Sequence, residues 1–110
     1  MPHYMFQGRY SNAAIKAMVE SPQDREAAAR TLVEAIGGKL VQFYFCFGTD
    51  DVVAIIEAPD DKAVAACSFA LGASGALSGG ATTKLMTSAE GMAAMETAQT
   101  AAKSYKPATG

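Results

Sequence analysis

The stretch from Cys46 to Asp60, CFGTDDVVAIIEAPD, constrains this chain more than any other. Two apolar runs flank the polar group Gly48-Thr49-Asp50-Asp51. Gly48 tolerates positive φ, and the side-chain oxygens of Thr49, Asp50 and Asp51 can fold back onto turn amides. The flanking runs must then pair as a hairpin. After Pro59, Asp60 is placed to cap a helix, and Asp61 lies near the positive end of that helix dipole. Strand, turn, strand and helix start therefore follow in fixed order.

The rest of the chain extends this order in both directions. Residues 3–10 alternate, with Tyr4, Phe6, Gly8 and Tyr10 on one face and Met5, Gln7 and Arg9 on the other, which predicts a first strand. A helical region starts at Ser11 or Asn12 with a stripe of Ile15, Met18 and Val19. It breaks at Ser21-Pro22, because proline lacks an amide proton and crowds the preceding turn, and resumes from Arg25 to Ile36. Gly37-Gly38 supplies a left-handed C-cap. Residues 39–47 and 51–58 read as the second and third strands, and residues 60–71 as a helix with Ala63, Val64, Cys67, Ala70 and Leu71 at core spacing. Residues 72–80 read as a Gly-rich loop, residues 82–86 as a short fourth strand and residues 88–102 as a last helix. A frayed tail, 103–110, ends the chain. The domain expected is 1–87, with the last helix appended.

The order β-α-β-β-α-β predicts an α+β, ferredoxin-like antiparallel sheet covered on one face by helices, with an added C-terminal helix. The second face is then bare. It carries apolar groups, and its burial by a second copy gives a dimeric α/β barrel; edge strands could extend this to larger rings. At 110 residues there is room for one domain and one core. Half the residues are apolar, many of them alanine, so small side chains should pack around a few large ones.

A net charge of −2, with no cluster among the nine Lys and Arg residues, argues against nucleic acid as a partner. The first residues lack the basic and apolar regions of a signal peptide, and no window is apolar enough for a membrane span. A cytoplasmic protein is expected. One histidine and two distant cysteines, Cys46 and Cys67, make neither a usual zinc site nor a disulfide framework, and both thiols are expected to be buried. No cofactor motif is found: the run from Gly72 to Gly80 follows a helix and lacks the GK[ST] ending of a phosphate loop. Asp50 and Asp51 read as turn and cap residues, in preference to a calcium or magnesium site.

The chain resembles the GYD-domain family of small bacterial proteins. The resemblance covers about residues 2–87. It rests on Tyr4, Gly8-Arg9-Tyr10, Arg25-Glu26-Ala27-Ala28, Glu34-Ala35-Ile36-Gly37-Gly38, Tyr44, Gly48-Thr49-Asp50-Asp51-Val52-Val53 and Ile56-Glu57-Ala58-Pro59-Asp60-Asp61. It implies the dimeric α/β-barrel fold and leaves the activity open. Where the family usually has tyrosine before the aspartate of its name-giving motif, this chain has Asp50, so that tyrosine's role does not carry over.

Candidate ligand-binding residues are Gln7, Arg9, Gln42, Tyr44, Glu57 and Lys84, expected together on the bare face. Such a mixture suits an internal ion-pair and hydrogen-bond network or a small polar-ligand pocket, with Arg9 paired to Glu57 or to a ligand carboxylate. His3 is expected to face solvent at a strand end. Met86, Met92 and Met95 offer adaptable packing, expected on the chain's own core, with a neighbouring subunit or another protein as the alternatives. Two functional classes follow. The first is a non-catalytic oligomeric binding or assembly module. The second, implied by analogy with the barrel superfamily, is a cofactor-independent monooxygenase or isomerase acting on a small polar or aromatic compound in a cavity lined by Arg9, Tyr44 and Glu57.

Overall fold

A computed structural model describes residues 1–109. Four strands, β1 (His3–Tyr10), β2 (Lys39–Phe45), β3 (Val52–Glu57) and β4 (Leu77–Leu85), form one open antiparallel sheet in the order β2-β3-β1-β4. Between them run α1 (Asn12–Glu20), α2 (Arg25–Ala35) and α3 (Asp61–Ala73), and α4 (Ser88–Ala101) follows β4. This is the ferredoxin-like α+β arrangement expected from the order of elements.

Local chemistry sets the helix ends. Ser11 caps α1, Asp24 caps α2 by accepting from the Ala27 amide at 3.0 Å, and Asp60 caps α3 by accepting from the Ala63 amide at 2.9 Å. The break at Ser21-Pro22 is complete, so α1 and α2 are separate helices. Gly37, at φ 81°, ends α2 as the expected left-handed cap, with its amide donating to Glu34 O. Thr87 and Glu90 form a reciprocal capping box that starts α4.

The register places Tyr4, Phe6 and Gly8 opposite Ile56, Ala54 and Val52 of β3 and opposite Lys84, Thr82 and Gly80 of β4. These residues share the helix-covered face, where Tyr4, Val33, Leu40, Ala54, Ile56, Ala58 and Val64 form the buried core. That core is small because α2 and α3 alone cover it. Helix α1 buries no residue, and the Ile15 and Val19 of its apolar stripe stay exposed.

Three sequence expectations need correction. Strand β4 begins at Leu77, so Gly79 and Gly80 lie inside a nine-residue strand, and the loop expected over 72–80 shrinks to the turn around Ser74-Gly75-Ala76. Pairing with β1 supplies the order that glycine's weak strand propensity hides. Strand β2 stops at Phe45, which leaves Cys46 beyond it and exposed, while Cys67 is buried as expected. Finally, α4 does not pack on the core: every residue in it is exposed except half-buried Gly91.

Candidate functional site

The face of the sheet away from α2 and α3 is uncovered. Its rows follow directly from the register. Lys39, Glu57, His3 and Leu85 make one row, Gln42, Ile55, Met5 and Thr83 the next, and Tyr44, Val53, Gln7 and Ala81 the third. Arg9 lies beyond them, at the far end of β1. An apolar band of Met5, Val53 and Ile55 thus runs through the middle, with polar groups at its margins.

Five of the six candidate residues share this face, and Lys84 does not. Opposite Tyr4 in the register, Lys84 belongs to the helix-covered side. The five do not converge either. Arg9 is six residues along β1 from His3, the partner of Glu57 in the register, a separation of roughly 20 Å. Four of them already have a local partner: Glu57 Oε1 lies 3.1 Å from His3 Nε2, the Arg9 Nε donates to the Thr49 carbonyl at 2.8 Å, and the Tyr44 hydroxyl donates to Gln42 Oε1 at 2.9 Å. His3, expected to face solvent, keeps 38% of its side chain exposed while lying against Glu57. The sequence showed which side chains alternate, but not how far apart along the sheet they fall.

The turn at Gly48-Thr49-Asp50-Asp51 acts on β1 more than on itself. Gly48 takes φ 129°, as the turn requires. The Asp51 carboxylate accepts from the Tyr10 amide at 3.0 Å, and the Asp51 amide donates to Gly8 O at 2.8 Å. Asp50 contributes its carbonyl, which accepts from Cys46 Sγ at 3.4 Å. Both aspartates thus tie the turn to its neighbours, with Asp51 fixing the end of β1.

On the helix side, a cluster missed at the sequence level surrounds Asp61. Its Oδ1 accepts from the Tyr4 hydroxyl at 2.6 Å and from Lys84 Nζ at 3.0 Å, and Lys84 sits 5.8 Å from the centre of the Tyr4 ring. The two donors hold the Asp61 carboxyl below the usual carboxylate range; the same bonds raise the Tyr4 and Lys84 values. One first-turn acid thereby joins α3 to β1 and β4. Its only sequence signal was the acidic pair after Pro59.

Between the sheet and helices α2 and α3 lies a cavity of about 130 Å³. Its walls are mainly apolar, from Phe6, Leu40 and Ile56 of the sheet, Val33 of α2 and Val64 and Leu71 of α3. None of Gln7, Arg9, Gln42, Tyr44, Glu57 or Lys84 lines it. Burial in this wall pushes the Cys67 thiol up, keeping it neutral. Among the described residues no group of three or more His, Cys, Asp or Glu side chains is placed to hold a metal, and no helix is long and apolar enough to cross a membrane.

Comparison with known proteins places this geometry. No curated protein matches the chain. Among solved structures, that of MtbAldR is similar, with a TM-score of 0.53 at 18% identity over 78% of this chain and 52% of that one. The chain spans about half the length of that protein, and at this identity the likeness concerns the fold. The GYD domain matches residues 4–103, a span that continues past residue 87 through the whole of α4. With its ferredoxin-like sheet, its Gly48–Asp51 turn and a match over nearly its full length, the chain belongs to the GYD-domain family.

Proposed function

We propose that this protein is a non-catalytic, homo-oligomeric binding and assembly module, in which the open sheet faces of two copies pack together as a dimeric α/β barrel and α4 reaches onto a neighbouring copy. The observation that carries this reading is the uncovered apolar band of Met5, Val53 and Ile55, flanked by exposed Tyr44 and half-buried Leu85. A sheet face of this kind is seldom left in water. The extent of the chain supports it as well. The radius of gyration is 17.8 Å, whereas a compact chain of this length has about 13 Å. Helix α4 packs on no core residue and leaves Met92 and Met95 at 60% and 71% exposure, open to a partner surface.

The polar residues of the face favour an assembly role over chemistry. Arg9, Tyr44 and Glu57 are dispersed and satisfied within the chain, as interface margins are, whereas a catalytic set converges on one reacting atom. Light scattering of the purified protein tests the reading. A mass of two or more chains is expected; a monomer at all accessible concentrations would remove it.

A further inference from the structure

The cavity between the sheet and helices α2 and α3 lies on the opposite side from the proposed interface and has no part in that reading. Native cores keep few voids larger than a water molecule. This one is partly open to solvent and, at about 130 Å³, has the size of a single aromatic ring, since an apolar cavity of roughly 150 Å³ takes up benzene.

The space is built by specific residues. The Phe6 ring lies along the sheet over two glycines: a Cβ at Gly8 would stand 2.6 Å from its Cζ, and one at Gly80 3.2 Å from its Cε2. The ring is thereby held down as a floor, and Ala29 and Ala54 present only methyl groups to the space above. A single charged side chain lines the cavity, Arg25 in the first turn of α2. It is half-buried, donates from Nη1 to Gln23 Oε1 at 2.8 Å and makes no ion pair among the described residues. A guanidinium carries five N–H donors, and the planar pair it matches best is a carboxylate.

We propose that this cavity is a binding site for a compact aromatic or branched aliphatic carboxylic acid, with the apolar body between Phe6 and the α2–α3 wall and the carboxylate on Arg25. The apolar walls supply affinity by excluding water from the ring, and Arg25 selects anions over cations of the same shape.

Methyl NMR on the full chain tests this with benzoate, toluene and benzylamine as probes. Benzoate is expected to shift the Val33, Leu40, Ile56 and Leu71 methyl signals saturably and to bind at least about tenfold more tightly than benzylamine. Arg25→Gln should weaken benzoate at least about tenfold while leaving toluene within about twofold. Filling the space with Ala29→Phe, or from the sheet side with Ala54→Leu should the first variant not fold, should abolish both. Absence of saturable shifts with benzoate, equal binding of benzoate and benzylamine, or an Arg25→Gln variant that binds benzoate normally would each overturn the proposal. Light scattering on the same samples reads assembly separately, so failure here and failure of the sheet-face pairing are told apart.

Discussion

Asp61 concentrates two donors on one carboxylate oxygen and so joins the first turn of α3 to two strands of the sheet. Tyr4 and Lys84 both converge on it from the sheet, while Asp61 itself sits in the first turn of α3. Because its pKa is lowered on folding, its contribution is present above the ordinary carboxylate value of about 3.9 and is lost as pH falls through the lower folded value. Acid unfolding followed by circular dichroism should show stability falling from about pH 5 downward, and Asp61→Asn should flatten that part of the profile. Tyr4→Phe should lower the Tm at neutral pH, since it removes the shorter of the two bonds. A second residue-scale test concerns the packed glycines. Gly8→Ala forces a methyl against the Phe6 ring and should cost about 1–3 kcal/mol, read by urea denaturation; in a Phe6→Leu background most of that cost should vanish. Residue identity alone revealed neither site. Lys84 looked like a member of the open face because the fourth strand was placed without its register, and a register decides the face of every side chain in a strand.

At the scale of elements, the strands that alternate sharply were the legible ones. In β1, Tyr4, Phe6 and Gly8 against Met5, Gln7 and Arg9 gave the correct two faces, and the turn at Gly48 with the cap at Asp60 placed the neighbouring elements. Strand β4 was half hidden, since Ser78-Gly79-Gly80-Ala81 carries no intrinsic strand preference and owes its order to eight residues of β1. A bulge between Leu40 and Gln42 also shifts β2 by one residue, which alternation cannot anticipate. Helix α4 was legible as a helix, but neither the capping box that starts it nor its lack of support was. Its exposure has a direct consequence. Ending the chain after Thr87 removes almost nothing from the protomer's own core, so the truncated protein should keep its sheet signal and unfold within a few degrees of the full chain when both are monomeric. A drop of more than about 10 °C, the equivalent of more than 1 kcal/mol in a domain this size, would mean that α4 packs on its own body.

For the whole molecule, the helix-covered side and the open side divide the work. The first holds a small core and a ring-sized cavity; the second holds a band of apolar residues flanked by polar groups. The order of elements was sufficient to foresee the bare face, and the order and spacing of short motifs the family, whereas the cavity depends on where the side chains of the sheet, α2 and α3 stop, which no pattern in one dimension records. The central claim is that the bare face is an interface between copies. Sedimentation velocity on the wild-type chain and on Ile55→Asp, which puts a charge at the middle of the apolar band without touching the core, tests it most directly. The wild type should sediment as a dimer or larger assembly and Ile55→Asp as a folded monomer; a monomeric wild type, or a variant that assembles as tightly as the wild type, would contradict it.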